Sequence, residues 1–308
     1  MTAYFTYQEG TDMPTYATPE AISATIELVV GDVRISAGDR DATVVDVRPS
    51  DPSAPDDVKA AELTRVEYAN EQLLITVPKL RSWLSRKGAS VDVTIELPAG
   101  SHLHGTASLA DFRCEGRLGD CQIKTGLGRI WVEQADTLNL KSGLGDISVE
   151  HATGRAEVTT GSGDVRLREL DGSAVIKNSN GNTWIGIAGA DVRLNAANGD
   201  IDVESARAGV VAKSARGDVR VGDTVRGSVV VETKIGDLEV GIREGTAAWL
   251  DVSSGVGQVH NALDSAEAPE GPAETVEVRA RTSVGDIVIR RASGAPQLSS
   301  LGSSRSAR

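Results

Sequence analysis

The side chains with the most chemical potential in this sequence are carboxylates that directly follow glycine: Asp146, Asp164, Asp200, Asp218, Asp237 and Asp286. Asn182, Arg129 and Gln258 each hold the same place once. Carboxylates stacked about 4.8 Å apart repel one another unless something neutralises them, and a ladder of divalent cations is one chemistry that would. Calcium-binding nonapeptide repeats, however, require Gly-Gly-x-Gly-x-Asp. Here Asp follows a single Gly once per repeat, so the expectation is that each Asp bonds local backbone N–H groups at its corner.

Other reactive side chains are scattered. His102 and His104 would point the same way from a strand, but the sequence offers no third ligand, so no metal site is expected. Cys114 and Cys121 are too few for a disulfide framework and have no neighbouring Cys or His pair. They read as small apolar core residues. No nucleophile elbow, phosphate loop or zinc-protease helix motif occurs, so no catalytic residue and no cofactor is expected.

Two features suit contact with a partner. Trp131 and Trp184 fall in one outward column of the repeat, where an indole could stack on a sugar or on an apolar surface, or simply cover a neighbouring strand. The segment KLRSWLSRK is the one locally basic stretch, with Lys79, Arg81, Arg86 and Lys87 around Trp83 and Leu84. At a hairpin tip it could touch an anionic membrane surface or an acidic protein, each basic residue being worth about 1 kcal/mol near such a surface. The blander alternative is a solvated turn.

The elements that position these residues follow from the spacing. Gly128, Gly145, Gly163, Gly181, Gly199, Gly217, Gly236, Gly257 and Gly285 are separated by 17, 18, 18, 18, 18, 19, 21 and 28 residues. Self-similarity at a fixed period near twenty signals stacked repeats. Two places after each Gly the residue is Ile130, Ile147, Val165, Thr183, Ile201, Val219, Leu238, Val259 or Ile287. Four places after it is apolar again, from Val132 to Ile289, with Asn261 as the exception. Polar and mixed residues lie between, which is the period of a strand with one buried face. A second alternating segment follows in each repeat, as at Ala156 and Val158 or Val192 and Leu194, after a turn marked by Gly154, Gly172, Ala190 or Ala208.

These columns predict an all-β, right-handed parallel β-solenoid with one coil per repeat of about eighteen residues. One coil buries some five small apolar side chains at roughly 1.5–3 kcal/mol each. Ordering its backbone costs about 1–2 kcal/mol per residue. A lone coil therefore cannot fold, and ten stacked at about 4.8 Å would form a rod on the order of 45 Å long.

Beyond the repeat, residues 20–105 read as an atypical β-rich N-terminal cap behind an extension of residues 1–19. In it Glu71–Val77 and Val91–Leu97 would form a hairpin, 49–60 a Pro-rich loop, and Gly31-Asp32 an isolated match to the repeat. The repeats occupy 106–291, with a loop near 264–273 and a last strand pair closing the rod. The Ser/Gly-rich residues 292–308 read as a disordered tail.

Composition narrows the function. The 308 residues carry a net charge of −12 and only 3% aromatics, which suits a thin repeated core and offers no basic footprint for nucleic acid. The N-terminus lacks a basic start followed by an apolar core, and no apolar run is long enough to span a bilayer, so a cytoplasmic protein is expected.

The repeated Gly-x-Gly-Asp-[Ile/Val]-x-[Val/Leu] pattern, clearest at Gly143 to Val149 and Gly161 to Leu167, resembles the adhesin-like family of bacterial β-strand-repeat proteins, a domain of unknown function frequent in actinobacteria. The resemblance runs from about residue 20 to residue 291 and includes NSNGNTWIG at Asn178 to Gly186. It implies a β-helical fold and no established activity. The expected role is a non-enzymatic scaffold or binding rod with an unknown protein or surface partner, self-associating through its ends. Two alternatives are a cytoplasmic accessory protein docking on a membrane through residues 79–87 and a polysaccharide-active β-helix enzyme. The second needs longer coils whose loops wall a cleft.

Overall fold

The computed structural model describes residues 3–5, 13–78, 89–263 and 274–292. It is an all-β parallel β-solenoid. Each coil contributes two strands, and each strand pairs in parallel with its counterpart in the next coil. One ladder runs through Ile147–Ala152, Val165–Leu170, Thr183–Ala188, Ile201–Ala206 and Val219–Thr224. The other runs through Ala156–Ser162, Ala174–Asn180, Val192–Asn198 and Val210–Arg216. The predicted columns face inward. Ile147, Val165, Ile201 and Val219 stack in one row and Val149, Leu167, Ile185, Val203 and Val221 in another, all buried.

Glycine is required at the corner between the ladders. Gly181 has φ +131°, and a Cβ there would lie 2.2 Å from the Gly163 carbonyl oxygen of the coil below. No L side chain fits both the backbone and the gap.

The sequence expectation fails at the ends of the stack. Gly31-Asp32 is no isolated match. The strand Ser23–Gly38 pairs in parallel with His102–Leu127, aligning Gly31 with Ala110 and Asp32 with Asp111. The repeat therefore begins by residue 23, and a boundary at residue 105 falls inside one strand. Nor do the two segments expected to form a hairpin meet. Gln72–Thr76 and Val91–Pro98 each pair in parallel with a different half of Ser23–Gly38, so together they form a coil outside it. The hairpin that does form joins Arg65–Ala69 to Gln72–Thr76, turning through Asn70 and Glu71 at positive φ.

Antiparallel strands close this end. Ala42–Pro49 lies on Val91–Pro98 and Thr15–Ala17 on Ala42–Pro49, while Ala3–Phe5 pairs with Arg65–Ala69. The Pro-rich stretch is no simple loop either, since Pro55–Glu62 is helical. Pro55 starts the helix, Asp56 and Asp57 sit in its first turn, and Ala60 and Ala61 are buried.

At the other end, chain order and spatial order diverge. The strand Gly227–Ile235 pairs with Thr275–Val284, and Thr275–Val284 pairs in turn with Ala247–Val256. Leu238–Ile242, Ile287–Arg291 and Val259–Asn261 stack in the same order. The last strand pair in sequence thus does not close the rod; it is slotted beneath the coil that precedes it. Composition explains the choice. Coil 275–291 presents Val276, Val278, Ala280, Ile287 and Ile289, all fully buried. Coil 247–261 places Asn261 in an inward column otherwise held by Val, Leu, Ile and, once, Cys114. A coil with a polar side chain in that column is tolerated where one face meets water, and Asn261 is exposed.

Candidate functional site

The Gly-Asp column is a hydrogen-bond ladder between coils. Asp146 Oδ1 accepts the Asp164 N–H at 2.8 Å, Asp164 Oδ1 accepts that of Asn182 at 2.9 Å, and Asn182 Oδ1 accepts that of Asp200 at 3.0 Å. The series continues through Asp218 and Asp237 to Asp286 and then Gln258, in the spatial order of the coils. The donor is therefore the N–H of the next coil, not a local corner amide. One oxygen of each carboxylate is committed to stacking, which also relieves some of the like-charge repulsion. Among the described residues no group of three or more His, Cys, Asp or Glu could hold a metal ion.

A second column escaped the sequence reading. Three places before most corner glycines stands a polar residue that reaches the corner carbonyl of the coil below. Ser142 Oγ donates to the Gly128 oxygen at 3.1 Å, Thr233 Oγ1 to Gly217 at 3.0 Å and Thr282 Oγ1 to Gly236 at 3.0 Å. Ala196 breaks the column. There the longer Asn178 amide donates to both the Gly163 oxygen at 3.1 Å and the Gly181 oxygen at 3.0 Å, serving the carbonyl that Ala196 cannot. The signal was present in the sequence as Thr125, Ser142, Thr160, Asn178, Ser214 and Thr233 at constant offset.

The outward column near the N-terminal end forms a shallow groove lined by Asp32, Arg34, Asp111, Arg113, Arg129 and Trp131. Arg129 replaces the column's carboxylate here. Its backbone N–H and guanidinium both donate to Asp111, with Nη2 to Oδ2 at 2.7 Å, and this pairing raises the Arg129 pKa further. Burial, reinforced by Asp92 and Asp111, pushes the Asp32 carboxyl up, while Arg34 and Arg129 oppose the shift. Trp131 is half-buried, with the Arg113 guanidinium 4.5 Å from its ring centre. Trp184 is also half-buried. Its ring lies against the Gly186 position and its Nε1 donates to Glu204 at 3.3 Å. Each indole is thus engaged by a side chain of the adjacent coil. Lys79, Arg81, Trp83, Leu84, Arg86 and Lys87 lie outside the described residues, as do the loop 264–273 and the tail from 293 onward.

His102 and His104 share an exposed face, and His102 Nδ1 accepts the Asp120 N–H at 2.9 Å. Cys114 and Cys121 are free and buried, aligned with Val132 and Leu138. Their mutual contact and their burial hold the Cys114 thiol well above the usual range. A thiol in that state is a poor nucleophile.

The end coil differs from every surface above. Ala247–Val256 and Val259–Asn261 are paired on one side only among the described residues. Ala248, Leu250 and Val252, which continue the inward columns, are only half-buried, and Trp249 is 57% exposed beside a groove lined by Ala248, Val276, Glu277 and Arg279.

The family model described as Toastrack DUF4097 matches residues 23–294. The chain belongs to this family. The match starts at the first residue of Ser23–Gly38, the first parallel-paired strand in chain order of this Toastrack protein. Solved structures similar to it include a putative adhesin from Bacteroides fragilis, at 13% identity and TM-score 0.32, covering 94% of this chain and 97% of that one. Another is a putative adhesin from Parabacteroides distasonis, at 12% identity and TM-score 0.32, with the same coverages. A third is a putative cell adhesion protein from Clostridium sporogenes, at 12% identity and TM-score 0.23, covering 91% and 99%. No curated protein matches the sequence. No helix among the described residues is long and apolar enough to cross a membrane.

Proposed function

We propose that this Toastrack protein is a non-enzymatic, adhesin-like scaffold, a rigid rod that engages a polypeptide partner through its C-terminal end coil. The observation that carries this reading is that, among the described residues, Ala247–Val256 pairs on one side only. A strand edge displays a row of backbone donors and acceptors, and its natural complement is another extended strand. The side chains alternate accordingly. Ala248, Leu250 and Val252 point toward the core column, and Trp249 and Asp251 point away from it. An added strand would complete the half-buried row and cover the end of the core.

The recurring carboxylates support a structural role, because they are spent on the amides of adjacent coils. The test is site-specific photocrosslinking in the native host, with a benzophenone side chain at Trp249 and a control at Arg166. Discrete polypeptide adducts at position 249 are expected, absent at 166 and lost when Leu250→Asp is added. A folded protein giving no adduct at 249, or the same adducts at both positions, would sink the proposal.

A further inference from the structure

The residues immediately before the corner glycines, together with Leu109 before the Ala110 that stands in a corner glycine's place, form a ridge along one edge of the rod, and its chemistry changes along its length. Toward the N-terminal end it carries Leu109, Leu127 and Leu144 in successive coils; toward the C-terminal end it carries Ile235, Val284 and Val256. These six aliphatic side chains are between 43% and 67% exposed. The stretch between them is polar, with Ser162, Asn180, Asn198 and Arg216 stacked in that order. Asn198 Nδ2 donates to Asn180 Oδ1 at 2.9 Å. The residues flanking the aliphatic positions are small at Ser108, Gly126, Gly143, Ser283 and Gly255, with Lys234 beside Ile235 the exception, so the ridge stands clear of its surroundings along most of its length.

We infer that this edge binds a second copy of the chain, the two rods lying side by side and antiparallel. From Leu109 to Val256 the pattern is self-complementary about a two-fold axis between Asn180 and Asn198; the half-buried Val30, one coil beyond Leu109, lies outside the matched length. Reversing the ridge sets Leu109 against Val256, Leu127 against Val284 and Leu144 against Ile235. Ser162 then faces Arg216, and Asn180 faces Asn198. An isologous contact requires this kind of pairing, in which residue i meets j and j meets i. Coils spaced about 4.8 Å apart make the matched ridge roughly 40 Å long, and each apolar cluster is one that a monomer would leave in water. A parallel arrangement would also bury the aliphatic residues, but it would set Arg216 against Arg216. Away from the ridge, the reversed rod places Arg129 near Asp286 and the remaining acidic columns near one another. Two chains of net charge −12 should therefore associate more tightly as salt rises from about 0.01 M to about 0.15 M.

The experiment is light scattering on the purified full chain, with charge-swapped variants. The wild type should have twice the 32.2 kDa chain mass. Leu127→Lys and Val284→Glu should each halve that mass while keeping the wild-type circular dichroism. Mixing the two variants should restore the double mass, because the lysine introduced at position 127 of one copy then faces the glutamate introduced at position 284 of the other. A double variant carrying Ser162→Cys and Arg216→Cys should form an intermolecular disulfide under oxidised glutathione, joining position 162 to position 216. A monomeric wild type, failure of the mixture to recover, weakening with salt, or a disulfide joining 162 to 162 would each overturn the inference. The photocrosslinking at Trp249 reads a different surface, so the two proposals fail independently.

Discussion

At the scale of single residues, the corner carboxylate is best understood as a hydrogen-bond acceptor whose charge is incidental. Asn182 already shows this, since its neutral Oδ1 accepts the Asp200 N–H at 3.0 Å where carboxylates elsewhere accept at 2.7–2.9 Å. Asp164→Asn should therefore leave stability nearly unchanged, whereas Asp164→Ala should cost about 1 kcal/mol by removing the acceptor for the Asn182 amide. Urea denaturation of both variants checks this, and equal losses would mean that the charge matters more than the bond. The sequence made the Asp column visible but not its partner, because a hydrogen bond to the next coil spans eighteen residues and leaves no local signature. The Thr/Ser/Asn column was legible and went unread. Its members alternate with Ala at one position and Asn at another, so it looks like variable polar filler until the glycine carbonyls beneath it are seen.

At the scale of the coil, the sequence carried nearly everything in the middle of the rod. Strand alternation, the eighteen-residue step and the corner glycine all point to one solution, which is the consistency a foldable sequence needs. The corner is also where the fold is least tolerant. Gly181→Ala would force a Cβ to within 2.2 Å of a backbone oxygen at φ +131°. Strain and overpacking together should destabilise the chain by on the order of 3 kcal/mol or more. A substitution of equal size at Gly245, also at positive φ but with nothing within 4 Å of its Cβ, should cost markedly less. Thermal denaturation of the two variants separates crowding from backbone strain. The candidate contact residues were harder to read at this scale. Trp131 and Trp184 do point outward, but their engagement with Arg113 and Glu204 depends on which side chains lie one coil away.

At the scale of the whole molecule, periodicity names the coils but not their order in the stack. The stepping of the glycines hinted at this, since the gaps of 21 and 28 residues after Gly236 depart from the repeat just where the chain changes order. What decides the arrangement is which coil can be covered on both faces, and Asn261 in an inward column makes 247–261 the one that cannot. Native-state hydrogen exchange tests this directly, because protection follows coverage and not position in the chain. Amides of the coil 275–291, such as those of Val278 and Ile289, should exchange at least about tenfold more slowly than those of Leu250 and Val259. A solenoid built in simple chain order gives the opposite ranking, with the last coil fraying first. Asn261→Val sharpens the comparison. It gives the end coil the apolar residue it lacks and adds to the exposed apolar surface at the rod's open end. Self-association through that end should follow, and a ridge-disrupting change such as Leu127→Lys in the same chain would leave it intact. Should the coil 247–261 prove the better protected of the two, the intercalated order would be wrong, and with it the open strand edge on which partner binding depends.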